Sequence, residues 1–199
     1  MSDSYYVIEH EGEGIYKEKM SKFLSFARKI NSPEEAKTII KDIQNEYHDS
    51  RHVCWAYVIG KDRDTWQLND NGEPSGTAGK PILGQINSFG LTDVIVLVVR
   101  YFGGIKLGTP GLIAAYREAA RLALEAAGKK EVHSMDTIKI VFPYCVANDV
   151  MKVVKAEEPE VLERIFDNSC EMTLSFRQDF SERIKGKLLN ISGLSLSEI

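Results

Sequence analysis

The sequence predicts an α+β protein of two domains, residues 1–133 and 134–199, and three observations carry that prediction. Val94 to Val99 is an unbroken run of six aliphatic residues, mostly β-branched, the pattern of a strand covered on both faces. It leads into four glycines, Gly103, Gly104, Gly108 and Gly111, and then into a long alanine-rich helical stretch, so strand, glycine loop and helix follow one another directly. Residues 128–135 then turn polar and charged, and beyond them the strand and helix patterns run in the order βαββαβ, the split-βαβ or ferredoxin-like arrangement.

Taken in order, Tyr5 to Ile8 and Ile15 to Met20 read as short strands of a hairpin around a Gly12-Glu13-Gly14 turn. Lys22 to Phe26 continues extended. Ser32-Pro33-Glu34-Glu35 then joins an N-cap serine, a proline at the first helical position and a glutamate at the third. Ala36, Ile39, Ile40, Ile43 and Tyr47 follow at helical spacing and give that helix one apolar face. His52 to Ile59 is β-branched and aromatic, Gly60 to Asp64 supplies a turn, and Thr65 to Leu68 returns antiparallel. Asp70 to Pro81 is small and turn-forming and fits no regular element, and Pro81 to Ser88 is a short helix before the central strand.

Thr109 is the expected N-cap and Pro110 the expected first residue of a helix that runs to about Ala127 and closes at Gly128. Its polar positions Arg117, Glu118, Arg121 and Glu125 form one stripe, so most of its surface is expected to be buried. The polar stretch 128–135 reads as a connector. After it come strands at Thr137–Phe142, Val161–Phe166, Glu171–Phe176 and Leu194–Glu198, with helices at Ala147–Ala156 and Asp179–Asn190.

The composition, 43% hydrophobic and 27% charged, is ordinary for a globular chain. A net charge of −4 argues against a generally basic nucleic-acid binder and leaves room only for a local patch. Cys54, Cys145 and Cys170 are widely spaced with no CxxC, which favours reduced core thiols over a disulfide framework or zinc site. The first residues carry no basic stretch followed by an apolar run, and no window approaches 18 uninterrupted apolar residues, so a cytoplasmic protein without a membrane partner is expected.

The glycine loop is the candidate site. Unpaired N–H groups at the start of the following helix attract an anion, and Arg100, Tyr101, Gly103, Gly104, Lys106, Gly108 and Thr109 surround that start. The same glycines also serve a tight strand-to-helix turn, and Arg100 also suits a salt bridge at the end of a sheet. The loop Ser75, Gly76, Thr77 and Lys80 is a second candidate, with His52. It is not a phosphate-binding P-loop, because Pro74 stands where that motif needs glycine and Pro81 where it needs Ser or Thr. His48 and His52 suit a metal only on one continuous helix, which the pattern ends before His52, so no metal is expected. Cys54 and His52 share one strand face and suggest a nucleophile and a base, although sharing a face does not by itself bring the two into contact.

Gly90 with the aliphatic strand, Arg100-Tyr101-Phe102-Gly103-Gly104, Lys106-Leu107-Gly108 and Gly111-Leu112 resemble the signature of the YigZ/IMPACT family, and Asp70 to Pro81 resembles its second motif. Ser21-Lys22-Phe23 and His52-Val53-Cys54-Trp55-Ala56-Tyr57 match its weaker motifs, so the resemblance covers about residues 15–128. One departure stands at Ser50-Arg51-His52, where the family pattern has Ala-Thr-His, and it removes a hydroxyl from position 51. The resemblance implies an architecture similar to the last two domains of elongation factor G: a ribosomal-protein-S5-domain-2-like unit followed by a ferredoxin-like one. It implies a non-enzymatic role in translation through RNA, the ribosome or a translation-associated protein, with no cofactor. An alternative by fold analogy is an enzyme or binder of a small phosphorylated ligand, since the same fold occurs in the GHMP kinases.

Overall fold

The aliphatic run becomes the middle strand of the larger sheet. In a computed structural model, which describes residues 4–167 and 169–199, the strands are β1 Ser4–Val7, β2 Gly12–Glu18, β3 Ser21–Lys29, β4 His52–Ile59, β5 Thr65–Asn69, β6 Val94–Tyr101, β7 Lys130–His133, β8 Met135–Phe142, β9 Glu160–Phe166, β10 Cys170–Arg177 and β11 Ser195–Glu198. The helices are α1 Pro33–Glu46, α2 Gly79–Phe89, α3 Gly108–Ala127, α4 Ala147–Glu157 and α5 Ser181–Leu189. The fold class is α+β, and every strand pair in the two larger sheets is antiparallel. No described helix is long and apolar enough to cross a membrane.

The five-stranded sheet has the order β2-β3-β6-β4-β5. Val94 to Val99 of β6 are all fully buried because helices lie on both faces of the sheet. Val94, Val96 and Val98 meet α2 and α3, where Ala115, Ala119, Ala120 and Ala123 let the α3 backbone approach closely. Ile95, Leu97 and Val99 meet α1 through Ala36 and Ile43. The Ser32 hydroxyl caps α1 by accepting from Glu35 N at 3.2 Å, as its sequence predicts.

Contacts divide the chain into two compact units, Tyr5–Val132 and one built on His133–Ile199. The second contains a four-stranded sheet of order β11-β8-β10-β9, with α4 and α5 enclosing a core of Ile138, Ile140, Phe142, Met172, Leu174 and Leu188. The stretch expected as a bare connector holds a strand: β7 pairs with β1 in a two-stranded sheet.

The first hairpin differs from expectation. β1 does not pair with β2; β2 pairs with β3 across a two-residue turn at Lys19 and Met20. Gly12 and Gly14 lie mid-strand beneath α3, where a Cβ on Gly12 would collide with the Ala123 carbonyl and one on Gly14 would come within 2.7 Å of Leu122 Cβ. They are glycines for close approach of a helix. The turn itself takes φ of +44° and +69° on residues without the usual Asn-Gly signal, so the pattern hides it. Two helix starts also move. α2 begins at Gly79 instead of Pro81, and α3 begins at Gly108, which puts Thr109 inside the first turn and leaves no side-chain cap.

Candidate functional site

The site starts from a row across the sheet. Phe23 of β3, Arg100 of β6 and His52 of β4 are direct cross-strand partners, all on the face that carries α2 and α3. Arg100 is only 6% exposed and its guanidinium lies between two rings, Phe23 and Phe102, with 5.6 Å to each centroid. Its charge is met by Glu73, whose Oε1 accepts from Arg100 Nη1 at 2.6 Å and from the Tyr116 hydroxyl of α3 at 2.8 Å.

The loop that delivers Glu73 is built around another carboxylate. Asp70 Oδ2 accepts from Gly76 N at 2.8 Å, and its Oδ1 accepts from Ala78 N at 3.0 Å and Gly79 N at 2.8 Å. Asp70 therefore supplies, from nine residues upstream, the cap that the α2 N-terminus lacks at its own Ala78. Asn71 holds the loop to β4: its Oδ1 accepts from Val53 N at 2.9 Å, and its carbonyl lies 2.8 Å from His52 Nδ1. A carbonyl can only accept, so Nδ1 carries a proton.

These residues wall a cavity of about 460 Å³, lined by Arg51, His52, Glu73, Pro74, Arg100, Phe102, Lys106, Leu107, Gly108, Thr109 and Leu112. The start of α3 forms one wall. Gly108, at φ +72°, turns the chain into that helix, whose 20 residues place a positive dipole end on the cavity. Arg51 and Lys106 stand exposed at its rim. Of the residues expected from sequence, His52, Arg100, Lys106, Gly108 and Thr109 meet here.

The others do not. Tyr101 follows Arg100 on β6 and so faces the opposite side of the sheet, where it packs with the α1 core and donates to Asp49 Oδ1 at 2.7 Å. Phe102, 48% exposed, is the ring that the cavity uses. Gly103 makes room for the Met20 backbone, into which a Cβ would run, and Gly104 meets a loop conformation of φ +88°. In the second loop, Gly76 N is taken by Asp70 and the buried Thr77 hydroxyl donates to Pro74 O at 2.6 Å. Lys80 and Gly76 line a different cavity, of about 400 Å³, with Arg117, and Ser75 is exposed but lines neither. Sequence reasoning missed Phe102 and Glu73 as site residues. Arg51, noted only as a departure from the family pattern, brings a second rim cation.

Neither alternative chemistry finds its groups. Cys54 is fully buried between Asp70 O, at 2.9 Å, and the Tyr116 hydroxyl, at 3.3 Å, and burial pushes its thiol up to about 12, so it is no thiolate nucleophile for His52. His48 sits in the turn after α1, near Asn45 O, and no cluster of three or more His, Cys, Asp or Glu fit to hold a metal occurs among the described residues.

The cavity lies wholly within a recognisable region. The Impact N-terminal domain family matches residues 19–124. An IMPACT family member of Haemophilus influenzae is 32% identical over 181 residues, covering 86% of this chain and 88% of that protein. YvyE of Bacillus subtilis is 38% identical over 131 residues, 66% of this chain and 60% of its own, and YigZ of Escherichia coli is 43% identical over 108 residues, 53% of each. A crystal structure of a hypothetical protein superposes with a TM-score of 0.73 at 26% identity, covering 100% of this chain and 98% of that one. Both segments that build the cavity, the Asp70–Gly79 loop and the Arg100–Leu112 stretch, fall inside the matched residues, and the chain belongs to the IMPACT family.

Proposed function

We propose that the protein is a non-enzymatic, cytoplasmic binding module of translation that takes single-stranded RNA, free or on the ribosome, into the cavity at the start of α3. We further propose that its two units correspond to the S5-domain-2-like and ferredoxin-like units of the resemblance. The βαββαβ order and the β11-β8-β10-β9 sheet support the second assignment. The observation that carries the functional reading is the convergence of Arg51, Lys106 and the α3 N-terminus on one cavity beside an exposed phenylalanine. Cations and a helix N-terminus attract phosphate, and an exposed ring stacks a base. The kinase-like alternative is weakened by the acids themselves. The Asp70 oxygens receive three backbone N–H groups and Glu73 is held by Arg100 and Tyr116, so neither carboxylate is arranged to hold magnesium against a nucleotide.

The test is a salt titration of single-stranded RNA binding. Lys106→Ala should reduce the slope of log affinity against log salt by about 0.7, one phosphate contact on a single strand. Phe102→Ala should cost roughly 1–3 kcal/mol of binding with the slope kept. Tyr101→Ala should leave affinity as it was. Folded Lys106→Ala and Phe102→Ala proteins with parental affinity and slope would remove the cavity as the RNA site.

A further inference from the structure

The floor of this cavity carries an acid, which a site made only for phosphate would exclude. Arg51, Lys106 and the α3 N-terminus favour an anion at the rim, whereas the Arg100–Glu73 pair at the floor is neutral overall and offers hydrogen bonds in place of net charge. A ligand that satisfies both ends therefore bears a phosphate at one and hydrogen-bond donors at the other. Among the described residues, the side-chain donors that reach Glu73, Arg100 Nη1 and the Tyr116 hydroxyl, end on the same oxygen, Oε1. Arg100 and Glu73 both line the cavity, so a ligand at its floor meets a guanidinium and a carboxylate together.

Side by side, Arg100 and Glu73 offer a donor followed by carboxylate acceptors. That order is the one cytosine presents along its pairing edge, with an N–H and then two acceptors. Guanine is its complement, with the O6 acceptor followed by the N1–H and N2–H donors. Adenine places an N–H against the guanidinium and a lone pair against the carboxylate, so it is rejected by repulsion as well as by lost bonds. Uracil offers one donor between two acceptors. The Phe102 ring, with one side on the Arg100 guanidinium, leaves its exposed side to stack a neighbouring base of the strand, because a base on that side lies beyond hydrogen-bond reach of Arg100. The cavity volume of about 460 Å³ lies within the roughly 300–1,000 Å³ typical of small-ligand sites.

Building on the reading of the cavity as an RNA site, we infer that the Arg100–Glu73 pair selects guanine, so that an unpaired guanosine nucleotide enters with its pairing edge on that pair and its phosphate at the α3 N-terminus. The experiment compares, on the full-length protein, seven-nucleotide adenosine oligomers carrying G, inosine or A at the centre, together with GMP against AMP. The central G should bind about tenfold tighter than A. Inosine, which lacks the 2-amino donor, should fall between them, and GMP should bind more tightly than AMP. Glu73→Gln, which exchanges one acceptor for a donor, should abolish the difference between G and A. Should that variant fail to fold, the inosine comparison asks the same question of the unaltered protein. Equal affinity for the three oligomers, with Lys106→Ala still weakening all of them, would leave the RNA site standing and overturn the guanine assignment. Saturable GMP binding preferred over AMP, with no oligomer bound, would keep the guanine assignment and overturn the RNA reading. No preference in either probe overturns it outright.

Discussion

Glu73 ties the stability of the cavity to its chemistry, because its carboxylate is the counter-charge of a guanidinium shielded from water. A buried ion pair contributes little net stability over an apolar pair of the same shape, but removing one partner leaves the other charge without compensation. Glu73→Ala should therefore cost about 3–5 kcal/mol, read from urea unfolding, and a cost under about 1 kcal/mol would mean that water reaches Arg100 freely. Cys54 gives a second prediction. Burial lifts its thiol from an ordinary 9.0 to about 12, so the folded state holds a proton that the unfolded state releases first. Stability should be undiminished below about pH 9 and fall as pH rises from there toward 12, by up to about 1.4 kcal/mol per pH unit for this one group. The Tyr116 hydroxyl is shifted upward chiefly by burial and steepens the same decline. Cys54→Ala should flatten part of the slope in urea titrations from pH 8 to 10.5, and parallel curves for parent and variant would show that the thiol is not desolvated. In the native state a thiol reagent should modify the exposed Cys145 and spare Cys54.

At the scale of elements, the Asp70 loop is where local pattern was least informative. Its N–H groups look available for a ligand anion in the sequence, yet an internal carboxylate occupies them, and nothing in the spacing shows that Asp70 folds back onto Gly76, Ala78 and Gly79. Asp70→Ala should remove the cap of α2 and three charge-assisted bonds together, a loss of about 2–3 kcal/mol in urea unfolding. A loss within 0.5 kcal/mol would assign the loop's order to its other contacts. The strands were legible because aliphatic and β-branched runs report burial directly, and Val94–Val99 announced a strand covered on both faces. The exchange of Tyr101 for Phe102 was also legible in principle. Side chains alternate along β6, so Arg100 shares its face with Val98 and not with Tyr101. Gly12 and Gly14 were not legible, because a glycine that admits a helix and a glycine that makes a turn are the same letter. The Arg100–Glu73 pairing, 27 residues apart in sequence, depends on tertiary placement alone.

At the scale of the whole molecule, the chain's division into two units leads to a prediction about independence. Every residue of the second core, from Ile138 to Leu196, lies in the segment 134–199, and so do the charges that tie its elements together. Glu157 of α4 is held by Arg183, at 2.7 Å, and by Lys187 of α5, and Lys185 of α5 reaches Glu198 of β11 at 2.6 Å. Ser181 donates to Asp136 of β8 at 2.5 Å, joining the start of α5 to the first strand of the sheet. Arg183, Lys187 and Glu198 are exposed enough for water to screen their pairs, so the apolar core and not the ion pairs must carry the fold. A domain this small supplies no more than about 3–5 kcal/mol from one core. The fragment 134–199 should therefore unfold in urea as a single cooperative transition of low midpoint, with dispersed amide resonances in the absence of denaturant. If it is disordered instead, its core needs the first unit to form. A fragment that is folded and leaves RNA affinity entirely with residues 1–133 would place the binding function in the first unit alone.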